Sequence, residues 1–224
     1  MTTRNDVLRE LGLAPVWRLR RTAPDTRDTR DTRIGALAFD ALVEDIARCN
    51  ACALSATRTR TVPGIGSIDA TWMFVGEAPG ADEDAQGEPF VGAAGQLLDN
   101  MLAALGLARD DDVFIANVLK CRPPGNRTPD PREAAACRPY LDRQIALIAP
   151  SLIVALGKSA ACTLLDIDAS VASLRNRVHR YHGTPLVVTY HPAYLLRTPA
   201  DKAKAWEDLL FARRTLRESA SADA

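Results

Sequence analysis

Apolar residues in this chain gather into four short runs that lack polar alternation: "TWMFV" (71–75), "VFIANVL" (113–119), "LIVAL" (152–156) and "LVVTY" (186–190). A strand with one wet face alternates apolar and polar positions, whereas an unbroken apolar strand is buried on both sides. Helical apolar spacing fills the intervals, at about 93–106, 130–148 and 157–166, and again at 201–217. Strand and helix in alternation predict a parallel sheet with helices on both faces. The expected fold class is therefore α/β, a three-layer α/β/α sandwich with a short, mainly parallel central sheet.

Ahead of the first run, Leu37, Leu42, Val43 and Ile46 fall at helical spacing within 36–49, and Pro63-Gly64 and Gly66 mark turns after it. Residues 2–13 read as a short amphipathic helix, and "TAPDTRDTRDTR" after them is a charge-alternating, low-complexity tract without apolar anchors. Residues 1–36 are thus expected to be an N-terminal extension and linker, 37–217 the globular domain and 218–224 a flexible tail. A chain of 224 residues, 47% hydrophobic, supplies one sizeable core. No apolar run approaches the ~20 residues of a membrane span, and the polar start lacks a signal-peptide order. A monomeric cytoplasmic protein with no membrane partner is expected, with its thiols kept reduced.

The formal charge is zero, which argues against a polycationic role. Its distribution is uneven: 76–112 carries nine acids against one Arg, and 175–217 nine Lys and Arg against three acids. Such a split suits a backbone-binding rim beside an acidic floor. Ligands of open parallel sheets bind beyond the carboxyl ends of the strands. Here those ends carry Gly76-Glu77, Asn117, Gly157 and His191-Pro192, so an acid, an amide and an imidazole are expected to converge on one rim.

Cys49 and Cys52 form a CxxC pair at the end of a predicted helix, and Cys121 and Cys137 follow singly. Four thiolates complete a tetrahedral metal site, and ligand identity leaves zinc and an iron–sulfur cluster both open. The pair does not open a helix after a strand, which disfavours a thioredoxin-like redox site. Cys162, among Ala, Thr and Leu, reads as a buried apolar residue.

Three stretches, "GEAPGADEDAQGEPFVGAAGQLLD" (76–99), "NVLKCRPPGNRTP" (117–129) and "HPAYLLR" (191–197), framed by these cysteines, together resemble the family 4 uracil-DNA glycosylases. The resemblance covers roughly 37–215 and implies removal of uracil from single- or double-stranded DNA without strand cleavage. It also implies a four-iron four-sulfur (4Fe-4S) cluster held by Cys49, Cys52, Cys121 and Cys137, with zinc the lesser alternative. One branch of the superfamily crosslinks itself to DNA through a histidine inserted in the first motif. The segment "DAQGEPFVG" (84–92) has neither insert nor histidine, which disfavours a crosslinking sensor. A non-catalytic sensor is disfavoured by the retention of Glu77, Glu83, Asn117 and His191 together.

Within that resemblance each residue has a chemical task. An enzyme acting on a base inside DNA must flip it into a pocket. Phe90 is expected to stack on the flipped pyrimidine, and Asn117 to read it, because a carboxamide accepts from N3–H while donating to O4. Backbone N–H groups around Ala78 are expected to bind the base too. His191 is the expected donor to the uracil anion, with Glu83 first and Glu77 second as the carboxylate that polarises water and faces the sugar cation. Tyr194, Leu195 and Arg197 are expected to enter the DNA, an apolar side chain filling the gap. Lys120, Arg122 and Arg127 are expected to meet phosphate.

Overall fold

A computed structural model describes residues 10–11 and 26–222 of the chain. The helix expected at 2–13 lies, apart from residues 10–11, outside the described residues, as does the first part of the expected linker. The chain divides into two compact units, Met1–Arg33 and Ile34–Ala224. Where a linker was expected through residue 36, Thr26–Gly35 forms a helix, α1. The repeat carries no proline or glycine before Gly35, so nothing in it breaks a helix. Ile34, also assigned to the linker from sequence, is fully buried in the second unit beside Leu42, Ile46 and Tyr140.

The second unit is built on a six-stranded sheet of order β1-β3-β2-β4-β6-β5. Its four inner strands, β3 (Val113–Asn117), β2 (Trp72–Gly76), β4 (Leu152–Leu156) and β6 (Thr184–Thr189), are the four apolar runs, and all pair in parallel. Two antiparallel edge strands, β1 (Ile65–Gly66) and β5 (His179–Tyr181), were not expected. One is too short and the other too polar to leave a periodic signal.

The absence of alternation has its cause in the packing. Met73, Val75, Phe114, Ala116, Ile153, Ala155, Leu186 and Val188 face one core with Ile145, Ile148, Ala160, Ala161 and Leu164. Their neighbours Trp72, Phe74, Val113, Ile115, Leu152, Val154 and Val187 face the other core with Leu98, Leu102, Leu209 and Ala212. The helices that cover the first face include α5 (Pro131–Ile148) and α6 (Lys158–Leu165); α4 (Ala93–Leu105) and α9 (Lys202–Ala222) cover the second. Remaining helices are α2 (Phe39–Arg48), α3 (Ala81–Gln86), α7 (Val171–Leu174) and α8 (Pro192–Arg197). The three-layer sandwich expected from the sequence is the observed fold.

Helix ends follow local chemistry. Asp130 caps α5, accepting from the Arg132 N–H at 2.8 Å while Glu133 accepts from the Asp130 N–H at 2.9 Å, and Pro131 opens the first turn. From 218, where a tail was expected, α9 continues as far as Ala222. No glycine or proline interrupts "RESASA", and the Ser219 hydroxyl donates back to the Thr215 carbonyl at 3.0 Å. Among the described residues no helix is long and apolar enough to cross a membrane.

Candidate active site

The carboxyl ends of β2 and β3, the loop after β2 and the start of α8 surround a cavity of ≈ 90 Å³ lined by Ala78, Gly80, Glu83, Phe90, Ala94, Asn117 and His191. Each wall has a local reason for its position. Asn117 is the last residue of β3 and 2% exposed; its Oδ1 is buried without a hydrogen-bond partner. A buried orphan acceptor is unfavourable by about 1–3 kcal/mol, and such groups mark places where a ligand supplies the missing donor.

His191 is the N-cap of α8, and its Nδ1 accepts from the Ala193 N–H at 3.1 Å. Burial, helped by the Arg197 charge and opposed by Glu83, lowers its pKa to about 4. At neutral pH the ring is therefore uncharged. With Nδ1 accepting, its proton sits on Nε2. Gly157, at φ +91, leaves the ring its place: a Cβ there would stand 2.8 Å from the His191 Cβ.

Phe90 is 6% exposed, and its ring stacks on His191 with centroids 5.5 Å apart. Its backbone is left-handed at φ +56, a conformation that costs a bulky L-residue ~1–3 kcal/mol. Glu83 holds the following chain: one oxygen accepts from the N–H groups of Val91 (3.0 Å) and Gly92 (3.2 Å), the other from Gly80 (2.9 Å). A carboxylate has about four acceptor positions, so three backbone bonds leave room for one water. Glu77 does not line this cavity; burial raises its pKa, and a hydrogen bond with Ser159 counters the rise.

A second, small cavity of ≈ 20 Å³ lies where α2, the 49–58 loop, the segment after β3 and α5 meet. Cys49, Cys52, Cys121 and Cys137 all line it, with Ile46, Arg58, Lys120 and Tyr140. Arg58 Nη1 donates to Cys121 Sγ at 3.2 Å, and the Lys120 backbone N–H to Cys137 Sγ at 3.3 Å. Burial pushes the Cys137 thiol up to about 12, against the pull of Lys120, and raises Cys121 despite the hydrogen bond from Arg58. Among the described residues no three Cys, His, Asp or Glu stand as a set able to hold one metal ion. Cys162 stands apart, half-buried, its Sγ 3.4 Å from the Ala169 carbonyl.

With this geometry in view, a family model described as the uracil DNA glycosylase superfamily matches residues 63–210. The type-4 uracil-DNA glycosylase of Archaeoglobus fulgidus is 46% identical over 170 residues, which span 72% of this chain and 85% of that protein. Its counterpart in Pyrobaculum aerophilum is 47% identical across 75% of this chain and 89% of the relative. That of Thermotoga maritima is 45% identical across 72% and 84%. The chain belongs to the type-4 uracil-DNA glycosylases.

Membership in the type-4 family does not place every expected residue at the DNA. Lys120 is 1% exposed, and its Nζ donates to the Asn117 carbonyl at 2.8 Å; burial lowers its pKa to about 8. A buried ammonium cannot reach phosphate, so that expectation is corrected: Lys120 ties the end of β3 to the thiol pocket. Arg127 is spent on Glu133, at 2.9 and 2.6 Å. Leu195, expected to enter the DNA, is 1% exposed, whereas Leu196 is 42% exposed. The α8 turn points the first leucine into the core and the second outward, a distinction that two adjacent leucines conceal in sequence. Tyr194 stacks on Tyr190 and donates to Asp201 at 2.6 Å. Arg197 is exposed, and Arg122 is half-buried with its Nε 2.7 Å from Asn126 Oδ1.

Sequence reasoning missed Arg58, Ser159 and Leu196, and also Arg109. That residue reaches the Phe90 loop, and the one signal for it was its position as the lone Arg among the nine acids of 76–112.

Proposed function

We infer that this chain excises uracil from DNA by hydrolysing the N-glycosidic bond, leaving an abasic site for base excision repair. The observation that carries the reading is Asn117, whose buried Oδ1 has no hydrogen-bond partner, lining the same cavity as the neutral His191. Uracil presents a donor at N3 and an acceptor at O4, which Oδ1 and the amide N–H of one fixed carboxamide satisfy together. Cytosine presents the reverse pattern and would leave the orphan unpaired.

The flipped base stacks on Phe90, a contact worth ~1–3 kcal/mol. As the glycosidic bond lengthens, negative charge grows on uracil O2, and the Nε2–H of His191 donates to it. A neutral imidazole stabilises that charge without surrendering its proton. The sugar becomes cation-like, and Glu83 supplies the opposing charge while its remaining acceptor position orients one water for attack. Glu83 is preferred over Glu77 because it lines the cavity. Leu196 replaces Leu195 as the side chain that fills the vacated stack, with Arg197 and Arg122 toward phosphate.

The thiol pocket is proposed to hold a four-iron four-sulfur cluster through Cys49, Cys52, Cys121 and Cys137. What supports it is that the four thiols line one cavity, in a chain whose family resemblance implies such a cluster. Zinc, which also accepts four thiolates, is the lesser alternative. When bound, the cluster supplies a covalent cross-link between α2, the segment after β3 and α5. Arg58 and the Lys120 N–H then orient the sulfurs of Cys121 and Cys137.

The test is incubation of iron-replete protein with an oligonucleotide carrying one uracil, single- or double-stranded, followed by alkali. Strand breaks at uracil and none at cytosine or thymine are expected. Intact strands overturn the enzymatic reading. Four irons per chain are expected by metal analysis, and one zinc per chain overturns the cluster.

A further inference from the structure

Phe90 occupies a backbone conformation that its own side chain disfavours, so neighbouring groups must impose it. Glu83 holds the chain after it through the N–H groups of Val91 and Gly92. The chain before it is held by Arg109, which lies between α4 and β3 and outside the base cavity. Its Nη1 donates to the Pro89 carbonyl at 2.8 Å, and its Nη2 makes a short hydrogen bond to the Phe90 carbonyl.

The guanidinium is itself fixed. Its Nε lies 2.6 Å from Asp99 Oδ1 on α4, and Nη1 is 3.6 Å from Glu88 Oε1, with the side chain only 15% exposed. On the other side the loop rests directly on α4, where Gly95 is fully enclosed: a Cβ at that position would overlap the Phe90 carbonyl. The Phe90 peptide is thus pressed against the helix and clamped across both carbonyls by one planar fork. Five donors in fixed geometry suit two carbonyls and a carboxylate at once, and an ammonium does not.

We propose that Arg109 is a positioning residue for base stacking, which holds Phe90 left-handed so that its ring forms the wall of the uracil pocket. The proposal rests on the glycosylase reading and adds to it a residue, remote from the base, that sets the stacking wall. Arg109 touches neither substrate nor the reacting atoms; it acts through Phe90 alone.

The experiment measures single-turnover excision by the iron-replete full chain carrying Arg109→Ala or Arg109→Lys, each in the wild-type and Phe90→Ala backgrounds. Inhibition by free uracil and binding to undamaged DNA of equal length are measured alongside. Arg109→Ala is expected to slow excision roughly 100-fold, the scale of a small misplacement at a reacting centre. Inhibition by uracil should weaken in parallel, binding to undamaged DNA should hold, and lysine should restore little. In the Phe90→Ala background the Arg109 substitutions should add less than ~3-fold, since residues acting through one group are not additive.

Wild-type excision by Arg109→Lys overturns the proposal, as does an undiminished Arg109 effect once Phe90 is gone. If Arg109→Ala does not fold, the lysine variant in both backgrounds decides. A wild-type protein that leaves uracil in DNA removes the glycosylase reading and this inference with it, whereas wild-type excision with insensitive Arg109 variants removes the inference alone.

Discussion

The base pocket and the thiol pocket are built on opposite principles. The base pocket stands at the rim of the sheet, its polar groups fixed by backbone contacts: Glu83 by three N–H groups, His191 by Ala193. The thiol pocket is apolar and assembled from a loop, a turn and two helices, and burial there raises the thiols of Cys121 and Cys137. One has its polar groups fixed in place; the other gathers four thiols, two of which burial disfavours as thiolates. Pre-organisation serves a substrate that comes and goes, whereas a resident group can itself hold its ligands together.

The largest effects should fall on the base pocket and leave the thiol pocket intact. His191→Ala and Asn117→Ala are each expected to slow excision ~10²–10³-fold, the loss typical of one pre-organised donor or acceptor. Undamaged-DNA binding and iron content should not change; a normal turnover rate would remove the assigned role.

Cys121→Ser tests the opposite cavity. It should lower stability by about 2–5 kcal/mol, the range for a lost cross-link, read by chemical denaturation together with iron content. Because Cys121 lies four residues past Asn117 and the intervening Lys120 is bonded to the Asn117 carbonyl, discrimination against cytosine should also relax. Full uracil specificity in an iron-free mutant would show the two cavities to be independent.

The adjacent leucines separate packing from DNA contact. Leu195→Ala should destabilise by ~2–5 kcal/mol with a matching drop in melting temperature. Leu196→Ala should leave melting unchanged and slow excision from double strands more than from single strands. Equal behaviour of the pair would void the assignment of the wedge.

The smallest effect is in pH. His191 is neutral above about 4, so excision should show no acid limb near the ordinary histidine value of 6.5 and should fall only as pH drops through about 4. The sign for stability follows: below 6.5 the unfolded chain takes up the proton and the folded one does not. Folding stability contributed by this site is complete above 6.5 and is lost as pH falls toward 4. An excision profile with a midpoint near 6.5 would place a charged imidazole in the pocket.

Sequence legibility followed the same physics. The four inner strands were visible because burial on both faces forces continuous apolar runs, and the residues at their ends were visible because parallel strands deliver them to one rim. Asn117 and His191 were found this way. The four cysteines were visible as a set by spacing and resemblance. Lys120 was misread because a lysine in a polar stretch gives no sign of burial, and its carbonyl partner is backbone. Leu195 was misread because phase on a six-residue helix is set by its cap, not by its pattern. Arg109 was missed because its partners are carbonyls, which every residue has.

The chain order of the two cavities has a consequence for how the molecule is made. All four pocket thiols lie between residues 49 and 137, while the base pocket is incomplete until His191. On a ribosome releasing the chain from its amino end, the four thiols proposed to hold the cluster exist before the last parallel strand and His191 are synthesised. Loading of the proposed cluster would then precede the first moment at which the base pocket is complete.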